Sequence, residues 1–165
     1  MRVPTKRVVA IGDLHCGHLL GLTPPDWWTS KMPGHESMRE RSGSVQRELW
    51  KWYTATMAAL QPIDILLVNG DVIDGKGRHS GGVEQITTDR RVQCEMAAEC
   101  IGAASPKRAV FTYGTRYHTG KGEDWEAMLA DQLSAAGMDV DIDNYVVIDV
   151  WANDEIGRAS CRERV

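Results

Sequence analysis

The sequence predicts an α/β fold, and three observations support this prediction. Apolar runs rich in β-branched residues recur along the chain, separated by amphipathic segments of helical period. The regular alternation of these strand and helix patterns indicates strand–helix–strand crossovers and a mainly parallel sheet. Each of the first three predicted strands ends in a polar cluster, at the sheet edge where open α/β folds bind ligands.

The first half of the chain contains two predicted strands and one helix. KRVVAIGD (residues 6–13) is predicted to be the first strand, and a proline-containing loop is expected from Leu19 to Ser42. SVQRELWKWYTATMAAL (residues 44–60) has helical spacing, with Ser44 as a candidate cap and Trp52 as a packing residue. IDILLVNG (residues 63–70) is a continuous apolar run, which is typical of a strand buried on both faces.

The second half repeats the alternation. TTDRRVQCEMAAECIGAA (residues 87–104) is predicted to be a helix that begins at Thr87 or Thr88. A strand is predicted over residues 107–114, a helix over residues 122–137 and a strand over residues 143–152.

Composition places the chain among ordinary globular proteins. It has 165 residues, of which 42% are apolar and 25% charged. No apolar stretch approaches the roughly 20 residues of a membrane span, and the first apolar run is too short for a signal peptide, so a cytoplasmic location without membrane contact is expected. The net charge of −4 does not indicate nucleic-acid binding. The cysteines form no CxxC pair, so reduced thiols are expected at Cys16, Cys94, Cys100 and Cys161.

The C-terminal segment EIGRASCRERV, Glu155 to Val165, resembles translated sequencing adapter. Segments of that origin carry no information about the fold. We therefore expect a single domain over residues 1–154 that is incomplete at its C-terminus, followed by a non-native tail over residues 155–165.

The stretch NGDVIDGKGRHSGG (residues 69–82) allows two interpretations. GDVIDGKG matches a phosphate-binding loop, G-x-x-x-x-G-K, except that Gly77 replaces the Ser or Thr that binds magnesium. Asp71 and Asp74 also place negative charge where that loop would hold a polyanion. A P-loop-like nucleotide hydrolase therefore remains the weaker alternative.

A metal site accounts for the same charges. Asp13 and His15 follow the first predicted strand, and Asp71 follows the second, so the three side chains are expected to converge. Two carboxylates and an imidazole form a mixed oxygen and nitrogen ligand set that suits manganese, iron or zinc.

GDLHCGH, NGDVID and GTRYH resemble the first three motifs of the calcineurin-like metallophosphoesterases, whose usual forms are D-x-H, G-D-x-x-D and G-N-H-D/E. Phage-encoded members with a GTxxH third motif look closest. The resemblance spans about residues 8–120, and it implies the N-terminal portion of a four-layer α/β/β/α sandwich. It also implies a metallophosphoesterase catalytic domain that acts on a phosphate-ester substrate, with a nucleotide or nucleic acid among the candidates.

The resemblance further implies two divalent metal ions, manganese, iron or zinc, that activate a hydroxide for attack on phosphorus. Asp13 and His15 would bind the first ion, and Asp71 would bridge both. Asp74 would orient the third-motif histidine, His118, which would act as the catalytic acid or replace a metal ligand.

The third motif departs from the family pattern, because Thr115 stands where the family has an asparagine ligand and His118 falls two residues late. Arg116 and Lys76 are candidate substrate-binding residues, since their positive charge suits a phosphate. The family's later histidine motifs are absent before residue 154. We therefore expect the 165-residue polypeptide to be nearly inactive, and a non-catalytic remnant that binds a metal or a partner is a further alternative.

Overall fold

The computed structural model describes residues 5–29, 36–77, 81–115, 125–152 and 155–162, without the side chains of residues 36–41, 151–152 and 155–162. The helices are α1 (Glu36–Ala59), α2 (Arg90–Ala104) and α3 (Trp125–Ala135), with a short 3-10 helix at Pro25–Trp27. The strands are β1 (Val8–Gly12), β2 (Ile65–Asn69), β3 (Arg108–Thr112), β4 (Asp139–Asp143), β5 (Tyr145–Ala152) and β6 (Glu155–Arg162). None of the described helices combines the length and hydropathy of a membrane span.

The predicted α/β class is confirmed. Strands β1 to β4 form a parallel sheet in the order β1-β2-β3-β4, and one helix follows each of the first three strands. The register pairs Gly12 with Asn69 and Asn69 with Thr112, so the carboxyl ends of three strands lie level at one edge. The loops that follow these strands therefore start side by side.

The central strands β2 and β3 are buried on both faces, as their continuous apolar sequences predict. Leu66, Val68 and Phe111 belong to the core cluster formed with the helices. Leu67 and Val110 alternate with them and are also buried, because the antiparallel pair of β5 and β6 contacts β3 and β2. The described chain thus contains helices, a parallel sheet and a two-stranded second sheet. The four-layer family sandwich remains a prediction, as do the domain limits and the origin of residues 155–165.

The predicted start of the first helix is wrong by eight residues. Helix α1 begins at Glu36, so Ser44 lies inside it and residues 36–42 are not loop. The residues before Ser44 have no apolar period, but Glu, Met and Arg are good helix formers. Helix α2 begins after Asp89, whose side chain accepts a hydrogen bond from the Arg91 amide, and not after a threonine.

Strand β4 is absent from the prediction, which has one strand over residues 143–152. The sequence DVDID of β4 alternates exposed aspartates with half-buried Val140 and Ile142. Aspartate is unfavourable in strands, so the local signal is weak. The strand forms because β3 offers a free edge and the two apolar side chains pack against the core.

Asp64 connects the amino ends of three strands, opposite the polar edge. Its carboxylate accepts hydrogen bonds from the Arg7 amide at 2.8 Å and from Lys107 Nζ at 2.7 Å, and Lys6 lies 3.6 Å away. The hydrogen bond from Lys107, followed by that from Arg7, lowers the pKa of Asp64 to about 2. The charged form of Asp64 therefore stabilises the folded state.

We predict that Asp64→Asn lowers the free energy of unfolding at pH 7 by about 1 kcal/mol, since a charge-assisted contact near the surface contributes about that much. The folded pKa lies below the unfolded value of 3.8, so the stabilisation is complete above about pH 4 and declines as the pH falls toward 2. Urea unfolding between pH 7 and pH 2 measures the difference. Asp131→Asn, at an exposed position of α3, is the control. An equal loss at pH 7 and pH 2 would contradict the electrostatic explanation.

Candidate metal centre

The two loops that carry the predicted ligands are joined by backbone hydrogen bonds. The amides of His15 and Cys16 donate to the carbonyls of Asp71 at 3.0 Å and Val72 at 2.9 Å. In the opposite direction, the amide of Asp74 donates to the carbonyl of Cys16 at 3.1 Å. The pairing of β1 with β2 thus continues beyond the strands, and it places the first two sequence motifs side by side.

Asp13, His15 and Asp71 form a cluster, as the sequence predicts. One ligand atom from each of them lies within 4.8 Å of the others. The Asp13 side chain is 77% exposed, that of His15 is 27% exposed, and Asp71 is buried. The cluster therefore has a buried end at Asp71 and a solvent-facing end at Asp13, through which an ion and a ligand can enter.

All three of these residues have left-handed backbone conformations. The φ angles are 55° at Asp13, 46° at His15 and 45° at Asp71, and the other described non-glycine residue of this kind is Ser105, at the end of α2. Such conformations are unfavourable for residues with a Cβ and concentrate at functional sites. Here they turn the chain sharply at each strand end and bring the three side chains together.

The buried carboxylate of Asp71 accepts hydrogen bonds from Thr115, in the segment that follows β3. The Thr115 amide donates to Asp71 Oδ1 at 2.8 Å, and the Thr115 hydroxyl lies 3.1 and 3.2 Å from the two carboxylate oxygens. Thr115 thus orients Asp71 in the described structure. In the sequence, Thr115 is notable only because it replaces the family's asparagine ligand, and the structure adds this contact with Asp71.

Gly114 leaves the space that this arrangement needs. A Cβ at Gly114 would lie 2.8 Å from Asp71 Oδ1 and 2.6 Å from Glu126 Oε1, closer than side chains tolerate. Glu126 is fully buried in the first turn of α3. Its carboxylate therefore approaches the Asp71 side of the cluster, which the sequence analysis does not anticipate.

The carboxylate of Asp74 lies next to the imidazole ring of His15. Asp74 Oδ1 is 3.2 Å from His15 Nδ1, and His15 Nε2 is 3.7 Å from Asp13 Oδ1. Gln85 donates to the second Asp74 oxygen at 2.8 Å. This arrangement of carboxylate, imidazole and ligand position is common at metal sites, where the carboxylate fixes the orientation of the ring.

Gln93 connects both loops to α2. Its side chain accepts a hydrogen bond from the Gly75 amide and donates to the carbonyls of Gly75 and Thr87, all at 2.7–2.8 Å. A Cβ at Gly17 would lie 2.5 Å from Gln93, so the first loop also packs closely on it. Nothing in the sequence marks Gln93 or Gln85, because single glutamines carry no motif.

The remaining predicted site residues have different outcomes. Lys76 is described and exposed. His118 and Arg116 lie outside the described residues, so the proposed pairing of Asp74 with His118 stays a prediction.

The phosphate-loop interpretation fits the structure poorly. Helix α2 begins at Arg90, well after Lys76, so the helix N-terminus that should face a phosphate does not follow the loop directly. Asp71 and Asp74 are buried beside the first loop, where their charges would repel a polyanion.

None of the cysteine side chains that the structure describes belongs to the cluster, and the side chain of Cys161 lies outside the described residues. Cys16, Cys94 and Cys100 are buried free thiols, as predicted for reduced cysteines. Burial, followed by the charge of Glu126, raises the pKa of Cys94 to about 12, and burial raises that of Cys100. The thiols of Cys94 and Cys100 therefore remain protonated and are poor metal ligands.

Comparison with models of known protein families and with curated protein sequences gives no match for this chain.

We predict that Gly114→Ala destabilises the fold by about 1–3 kcal/mol, because the added methyl group overpacks Asp71 and Glu126. Displacement of the Asp71 carboxylate should also weaken manganese binding by about tenfold or more. Thermal unfolding and calorimetric titration measure the two effects. The matched control is Gly102→Ala in α2, where a Cβ meets nothing within 4 Å. It should stabilise the helix by about 0.5–1 kcal/mol and leave manganese affinity unchanged. Equal manganese affinity in the two variants would contradict this role of Gly114.

Proposed function

We propose that this chain is a metal-dependent phosphoesterase of the calcineurin-like class, which hydrolyses a phosphomonoester or phosphodiester. The observation that carries the proposal is the convergence of Asp13, His15 and Asp71 at the ends of β1 and β2. The order and spacing of the sequence motifs, GDLHCGH, NGDVID and GTRYH, add the family assignment.

The chemistry of the donors fits a divalent cation. Two carboxylates and an imidazole within 4.8 Å match the ligands of manganese, iron and zinc. Asp71 is buried close to the carboxylate of Glu126, and gathering negative charge in this way is unfavourable without a cation. Asp71 is therefore the ligand on which ion binding depends most strongly.

An ion held there would activate water at neutral pH and neutralise charge on a phosphoryl oxygen. The protein's own groups have distinct tasks in this proposal. Thr115 holds the Asp71 carboxylate, and Asp74 faces Nδ1 of His15, which leaves Nε2 available as the ligand atom. Asp13 stands at the exposed end, where substrate arrives.

The family resemblance supplies the remaining assignments. His118 would donate a proton to the departing alkoxide, and Arg116 would bind phosphoryl oxygens. The exposed ammonium of Lys76 would attract a phosphate electrostatically. The resemblance also implies a second ion, which Asp71 would help to hold.

Asp71→Asn tests the proposal directly. It preserves size but removes the charge, so we expect manganese binding to fall by at least about a hundredfold, as loss of a ligand carboxylate should cost no less than loss of a supporting residue. Calorimetric titration of the 165-residue chain measures manganese binding. Hydrolysis of bis(4-nitrophenyl) phosphate in the presence of manganese measures the slow turnover that we expect of this chain. Asp131→Asn, on the exposed face of α3, is the matched control.

The two alternatives predict different outcomes. A P-loop nucleotide hydrolase would bind magnesium-nucleotide after Asp71→Asn but not after Lys76→Ala. A non-catalytic remnant would bind manganese through Asp71 without any manganese-dependent hydrolysis. Unchanged manganese affinity in Asp71→Asn would refute the proposed metal site itself.

A further inference from the structure

A cavity of about 460 Å³ adjoins the cluster of Asp13, His15 and Asp71. Asp13 and His15 line it on one side, so a ligand bound to the cluster has the cavity as its immediate surroundings. The rest of the wall is mainly apolar and comes from the segment after β1 and from α1, with contributions from Leu20, Leu22, Leu49, Trp52 and Tyr53. The site thus combines a charged end with an apolar end.

Two large apolar side chains of this wall are exposed. Trp52 is 63% exposed and Leu20 is 57% exposed. The sequence predicts that Trp52 packs on the helix face, which is wrong for this residue. Tryptophan contributes large stabilisation when it is buried, so an exposed indole beside a cavity is a candidate for contact with a ligand.

Tyr53 forms a fixed part of the wall. It is 3% exposed, and its hydroxyl donates to the carbonyl of Cys100 at 2.9 Å. Burial raises the pKa of Tyr53 above its usual value of 10.0, so the phenol remains neutral. Trp52, its neighbour on α1, is by contrast free to present its ring.

The charges of the cavity wall restrict the ligand. None of the described residues that line it is lysine or arginine, and its acidic side chains are Asp13 and Asp74. A bound ion at the cluster would attract one phosphoryl group, and among the described residues of the wall no cation is available for a second phosphate. The apolar end therefore favours an uncharged substituent over a polyphosphate or a nucleic-acid backbone.

His18 adds a polar side chain to the wall of the cavity. Its Nδ1 accepts a hydrogen bond from the Leu20 amide at 3.1 Å, so the neutral ring carries its proton on Nε2. His18 lines the cavity together with His15. Its Nε2–H is thus a donor suited to an ester oxygen or to a polar atom on a ring.

We propose that this cavity binds the organic group of the phosphate ester, and that this group is a planar aromatic ring that stacks on Trp52. The proposal rests on the proposed function, since the cluster must hold the phosphoryl group first. An aryl group and a nucleobase share the chemistry that Trp52 recognises. The inference therefore narrows the substrate to an aromatic phosphate ester.

Phosphonates separate the two parts of the site, because they keep the charged head and resist hydrolysis. Methylphosphonate reports on the cluster alone, phenylphosphonate adds the ring, and an adenosine 5′-phosphonate replaces the ring by a nucleobase. Calorimetric titration of the 165-residue chain in manganese should show about tenfold tighter binding of phenylphosphonate than of methylphosphonate, as expected for one stacking contact. A similar gain for the adenosine ligand alone would identify the ring as a nucleobase.

Trp52→Ala should abolish this gain and leave methylphosphonate affinity unchanged, whereas Trp52→Phe should keep most of it. Val45→Ala is the matched control, since Val45 is 46% exposed on the same helix but does not line the cavity. Equal affinity for all three ligands, or a gain that survives Trp52→Ala, would overturn the aromatic site while leaving the proposed function intact. Absence of manganese-dependent methylphosphonate binding would overturn both.

Discussion

The candidate centre depends on hydrogen bonds between two loops. The loop after β1 and the loop after β2 run side by side, joined by main-chain contacts among residues 15–16 and 71–74. Main-chain pairing fixes the relative position of two loops more firmly than contacts between long side chains, because few torsions remain free. Asp13 and Asp71 are distant in the sequence, and this pairing gives their side chains a defined separation.

This arrangement is locally unfavourable, and the surrounding structure compensates for it. Three ligand positions have positive φ angles, and several carboxylates lie close together. The compensation comes from three side chains: Thr115 holds Asp71, Gln85 holds Asp74, and Gln93 connects both loops to α2. A preorganised arrangement of this kind would bind the proposed cation without an additional entropy cost for ordering the loops.

Strands β1 to β3 and the convergence of Asp13, His15 and Asp71 could be predicted because their signals are local. The apolar runs of β2 and β3 stand out in any short window, and Asp13 and Asp71 directly follow such runs. Strand β4 could not be predicted, because it forms through packing against its neighbours. The start of α1 could not be predicted either, because the first residues of the helix are polar and have no apolar period. The sequence also could not predict the contacts of Gln93, the position of Glu126 or the place of Trp52 in the cavity wall. Each of these depends on contacts between segments far apart in the sequence.

The aspartates of β4 have a consequence for association between molecules. Strand β4 is the last of the parallel sheet, so one side of its backbone has no partner strand within the described chain. Asp139, Asp141 and Asp143 occupy alternate positions along it and are exposed. A second molecule adding its own β4 there would bring two rows of carboxylates together, and this repulsion opposes growth of the sheet into aggregates.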